Sequence, residues 1–195
     1  MKTILIIAGV LIAIFIIVQL YAMSSRKNIE SYPYRVVKSY SGFEIREYEA
    51  SLFTSVKLGT NDYKAASGKG FSILAGYIFG GNEKNEKISM TSPVAMSIED
   101  SMIMMFMVPK DIKKENLPKP DQAGIEFKEE PAKTVAAITF GGWASTEWIN
   151  EYKRKLIAAL EAEGIAFTNR FSFLGYNPPY DLINRKNEVI VELEK

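Results

Sequence analysis

Phe43-Glu-Ile-Arg-Glu-Tyr-Glu-Ala-Ser-Leu-Phe-Thr-Ser-Val-Lys-Leu58 and Ile125-Glu-Phe-Lys-Glu-Glu-Pro-Ala-Lys-Thr-Val-Ala-Ala-Ile-Thr-Phe140 carry one pattern at a constant offset of 82 residues. Ile45-Arg46-Glu47 aligns with Phe127-Lys128-Glu129, Ala50 with Ala132, Val56 with Ile138 and Gly59 with Gly141. Each stretch alternates apolar and polar residues, then turns, then alternates again, which predicts two paired strands in each copy. Each pair is followed by a helix. The first runs from Asp62 to Phe79 and stops at Gly80-Gly81-Asn82; the second runs from Ser145, an N-cap, to Glu163 and stops at Gly164. In the second helix Trp148, Tyr152, Leu156 and Leu160 recur on one face at i, i+4 spacing, so that face covers a sheet.

Strands follow each helix: Ile88 to Met90, Val94 to Ile98 and Met102 to Val108 in the first half, Ala166 to Tyr176 and Val189 to Leu193 in the second. The fold class is therefore α+β: duplicated ββαββ halves forming a distorted antiparallel β-barrel with two flanking helices. A transmembrane helix precedes it. Ile4 to Ala22 carries no charge and only Gln19 is strongly polar. As a helix it reaches about 28 Å, the thickness of a bilayer hydrocarbon core. Tyr21 stands where an interfacial aromatic would, followed by Arg26 and Lys27 as an anchor. Ala22-Met23-Ser24 also fits a signal-peptide cleavage site, but the apolar run exceeds the usual signal length. The division is 1–23 anchor, 24–33 polar linker and 34–195 domain, in a single-pass membrane protein. Lys2 nearly balances Arg26 and Lys27, and the domain is read as lying outside the cytoplasm.

Composition excludes several chemistries. The 24 basic residues include Lys2 of the leader, which leaves 23 against 23 acidic ones, so the domain is neutral and is not read as binding nucleic acid. With no cysteine there is no disulfide, Cys-based metal site or covalent heme attachment; with no histidine the usual base, zinc ligand and heme ligand are missing. Carboxylate pairs such as Glu129 and Glu130 have no neighbouring nucleophile or base, and the protein is read as noncatalytic.

Five motifs resemble the SOUL heme-binding family: Tyr77-Ile-Phe-Gly-Gly-Asn82, Lys87-Ile-Ser-Met-Thr-Ser-Pro-Val94, Phe140-Gly-Gly-Trp143, Gly175-Tyr-Asn-Pro-Pro179 and Arg185-Lys-Asn-Glu188. The match covers Tyr34 to Glu192. The resemblance implies noncovalent binding of heme or a free porphyrin in an apolar groove beside the first domain helix. The family's groove-lining positions fall on Gly68, Phe71 and Ala75, with Leu74 and Ile78 beside them. Six of the eight methionines lie between Met90 and Met107, and Met90 and Met96, next to the Met-Thr-Ser-Pro-Val motif, are the ones read as ligand contacts. Without histidine an iron ligand would have to be Tyr63, Tyr77, Met90 or Met96. Arg185 or Lys186 could reach a propionate. The function expected is tetrapyrrole binding at a membrane; the alternative is a module of the same fold that engages a protein partner, a peptide or another hydrophobic effector.

Overall fold

The link between the two repeated strands, Glu49-Ala50, contains none of the residues that a tight hairpin turn requires, and neither does its counterpart Pro131-Ala132. In the computed structural model, which describes residues 2–25, 29–60, 62–99 and 101–194, the strands accordingly do not pair with each other. The elements are α1 (Lys2–Ser25), β1 (Tyr34–Ser39), β2 (Glu44–Tyr48), β3 (Ser51–Lys57), α2 (Tyr63–Ile78), β4 (Val94–Ser97), β5 (Ile103–Met107), β6 (Ile125–Glu130), β7 (Lys133–Phe140), α3 (Thr146–Ala162), β8 (Phe167–Gly175) and β9 (Asn187–Leu193). β2 pairs with β7 and β3 with β6, so each half lends strands to the other. The expected hairpins are replaced by this exchange.

One antiparallel sheet of nine strands results, in the order β1-β2-β7-β9-β8-β4-β5-β3-β6. Exchanging β2, β3, β4 and β5 with β6, β7, β8 and β9 and reading from the other end returns the same order for these eight strands. The sheet curls without closing: β1 pairs with β2 at one end of the order, and β6 stands at the other. The barrel expected from the repeat is thus an open half-barrel. Both faces of β1 are exposed, and its Arg35 and Lys38 suit an edge that must not recruit another strand.

Ile88 to Met90 is not a strand. Its first amide is taken by the end of α2, where the Ile88 N–H donates to Ile78 O at 2.8 Å, which draws the segment away from any ladder. Alternation along β5 holds: Met104 and Phe106 face the helices, while Met105 and Met107 enter the core of the opposite face. α2 packs on β3 and β5, and α3 on β7, β8 and β9. On α3 the buried stripe is Ile149, Leu156 and Leu160, with Tyr152 half-buried; Trp148 is 47% exposed, one position off the stripe. α1 runs past the expected anchor to Ser25, and Arg26 and Lys27 lie outside the described residues.

Candidate functional site

α2 begins where the Asp62 side chain accepts the Ala65 N–H at 2.8 Å and the Thr146 hydroxyl at 3.0 Å, which ties its start to that of α3. The hydrogen bond from the Ala65 amide, then that from Thr146, holds the Asp62 carboxyl below its ordinary value. The helix sits close on the sheet because position 70 has no side chain: a Cβ there would come within 2.8 Å of Leu58 Cδ1 and 3.0 Å of Met104 Sδ. Its end is closed by the Tyr77–Asn82 motif. Gly80 adopts φ 113°, and the Asn82 amide donates to Tyr77 O at 3.1 Å and to Glu86 O at 2.8 Å. The motif therefore shapes a turn.

Leu74, Ala75, Ile78 and Met96 belong to the core between helices and sheet; Leu74 is wholly buried and Met96 is 1% exposed. α2 is in contact with β3 and β5 there, and these four side chains are turned into that contact. Gly68 and Phe71 instead reach the surface. A Cβ added at Gly68 or at Gly76 would meet no atom within 4 Å, and Phe71 and Phe79 are 40% and 61% exposed. With Ser72 these residues form an open, mostly apolar strip along the outer face of α2, and the Phe71 ring rests 5.4 Å from that of Phe106. Met90 is half-buried and opens elsewhere, on a shallow depression of about 610 Å³ shared with Glu30, Ser31, Ser89, Lys110 and Asp111.

Of the oxygen and sulfur atoms considered for iron, Tyr77 is committed: its hydroxyl donates to Pro118 O at 2.9 Å, and burial pushes it up to about 12. Tyr63 packs edge-on to Phe173, and burial raises its hydroxyl as well. Thr91 of the Met-Thr-Ser-Pro-Val motif donates to Met107 O at 2.7 Å, so that motif also does structural work.

The opposite face of the sheet holds a charge cluster centred on Arg46 and Glu188. Arg46 on β2 makes two hydrogen bonds to Glu188 on β9, at 2.9 and 3.0 Å, and a third to Glu44 at 2.8 Å. Glu188 is fully buried and also accepts from Tyr176 at 2.6 Å, Lys186 at 2.9 Å and Thr139 at 3.1 Å. Burial pushes the Glu188 carboxyl up, but hydrogen bonds from Arg46 and Tyr176 outweigh it and the net direction is down. Burial also raises the Tyr176 hydroxyl, helped by the Glu188 charge. Arg185 does not lie free for a propionate, since it donates to Pro178 O, Asp181 O and Asn177 O. Among the described residues no group of His, Cys, Asp or Glu is placed to hold a metal.

The family profile described as SOUL heme-binding protein matches residues 29–192. Heme-binding protein 2 from Mus musculus is 30% identical over 155 residues, covering 75% of this chain and 76% of that one, and Heme-binding protein 2 from Homo sapiens gives the same figures. Heme-binding protein 1 from Xenopus laevis is 26% identical over 155 residues, covering 75% and 81%. Among solved structures, the EcmrR C-terminal domain superposes with a TM-score of 0.62 at 14% identity, covering 83% of this chain and 98% of that one, a likeness of fold.

Proposed function

Because the chain belongs to the SOUL heme-binding family, we propose that it binds heme or a related tetrapyrrole noncovalently on the outer face of α2, without catalysis, beside a membrane to which α1 anchors it. The observation that carries this reading is the open strip of Gly68, Phe71, Ser72, Gly76 and Phe79, flat where the glycines stand and flanked by two exposed rings. Covering a few hundred Å² of it would supply several kcal/mol gross at ~25 cal/mol/Å². The costs of association remove much of that.

Iron has little to hold it here. With no histidine, with Tyr77 bonded to Pro118 O and with Met96 in the core, recognition rests on the ring's flat surface. Hemin and iron-free protoporphyrin should therefore bind a fragment starting at Ser24 within about tenfold of each other, ~1.4 kcal/mol. Absorbance and fluorescence titration measures both. A much tighter hemin, with the difference abolished by Met90→Ala, would install Met90 as an iron ligand instead. The closed contact of Leu74 and Ile78 favours one second reading, a module of this fold that engages a peptide or another hydrophobic molecule; it predicts that neither tetrapyrrole binds.

α1 is long and apolar enough to cross a membrane by length and composition. As an uncleaved anchor it should keep the full-length protein in the membrane pellet through carbonate extraction. Recovery of a mature chain beginning near Met23 or Ser25 contradicts the anchor. The symmetric strand order supports a duplication, and superposing Phe43–Leu58 on Ile125–Phe140 tests it.

A further inference from the structure

Gln19 is the one strongly polar residue of the stretch Ile4 to Ala22, and it is 5% exposed while its neighbours Ile16, Ile17 and Val18 are 50%, 64% and 41% exposed. Both ends of its amide are spent on the loop between β8 and β9: Nε2 donates to Tyr180 O at 3.1 Å, and Oε1 accepts the Leu182 N–H at 3.1 Å. Gln19 stands three residues before Ala22, so the loop meets the helix about 4.5 Å inside the end of the apolar stretch. That is interfacial depth.

The loop is built for such a place. Its polar backbone is turned inward, where Arg185 donates to Pro178 O at 2.9 Å, Asp181 O at 2.6 Å and Asn177 O at 3.2 Å, while the Lys186 N–H donates to Asn177 Oδ1 at 2.7 Å. Its apolar side chains are turned outward: Tyr180, Leu182 and Ile183 are 50%, 49% and 44% exposed. Leaving peptide groups unsatisfied is what makes irregular backbone costly near lipid, and here many of them are satisfied within the protein. Trp143, 56% exposed with the Arg185 guanidinium 4.0 Å from its ring centre, extends the same patch. Trp and Tyr favour the membrane–water interface.

The geometry points to the β8–β9 loop as a second membrane contact: Tyr180, Leu182 and Ile183 enter the interfacial layer of the bilayer that α1 crosses, and Gln19 clamps the loop at that depth. This rests on the reading of α1 as a membrane span. The consequence is orientational, since a domain held only by a tether would tumble, whereas one held by helix and loop presents a fixed side to the bilayer.

The chain has no cysteine, so a single introduced one carries a unique fluorescent label. Full-length Phe15→Cys, Leu182→Cys and Glu163→Cys, each labelled and reconstituted in phosphatidylcholine vesicles containing brominated acyl chains, separate the possibilities. Strong quenching at 15, intermediate quenching at 182 and none at 163 is the expected result. Gln19→Leu in the Leu182→Cys background should bring the quenching at 182 toward that at 163; unchanged quenching overturns the clamp. Quenching at 15 with 182 as unquenched as 163 overturns the loop contact and leaves the span standing. Absence of quenching at 15 overturns the span, and the loop contact with it.

Discussion

Glu188→Ala is expected to destabilise the domain by about 3 kcal/mol, because it leaves the Arg46 guanidinium buried with only Glu44 to answer it. The pair joins β2 of one half to β9 of the other, so its loss loosens the exchange that holds the halves together. Chemical denaturation measures the change. The double variant Arg46→Met, Glu188→Leu should recover most of the loss, since the expensive state is a buried charge without its partner. A depressed carboxylate stabilises the fold above its unfolded value and ceases to do so when protonated. Stability from Glu188 is thus fully present above its ordinary 4.5 and is lost as the pH falls through its lower folded value. The acid limb of the wild type should flatten in the double variant.

Leu74→Ala should cost about 2–5 kcal/mol, since Leu74 is fully buried between α2 and the sheet and its loss leaves a cavity. Tetrapyrrole affinity of the folded fraction should barely change. Thermal denaturation and titration of the same preparation read the two effects. Loss of binding at preserved stability would place the ligand beneath α2, against the sheet, and contradict the outer-face site.

The helix stripe shows how far the sequence reaches and where it stops. Phe71, Leu74, Ala75 and Ile78 do share one side of a helix, and the cap at Ser145 is legible because it rests on a local hydrogen bond. Which part of that side meets the sheet depends on long-range packing. Leu74, Ala75 and Ile78 are buried against the sheet, whereas Phe71 lies at the margin and Gly68 outside it. The role of Gly70 was likewise invisible, because nothing local says that Leu58 and Met104 stand beneath it. Strand content followed from alternation, but pairing did not: β2 and β3 could have formed a hairpin until the missing turn residues are weighed against it. The partner of Glu188 was not legible, because it takes the β2–β7–β9 register to bring Arg46 to it.

The outer face of α2 is tested most directly at Gly68, where a side chain meets nothing within 4 Å and the fold should not suffer. Gly68→Glu places a carboxylate where the ring would lie, and covering that charge without a partner is costly. Titration of the wild type and Gly68→Glu with hemin and with protoporphyrin is predicted to show both ligands weakened by at least about tenfold, ~1.4 kcal/mol, at unchanged thermal stability. Equal affinities for the two proteins would contradict the site.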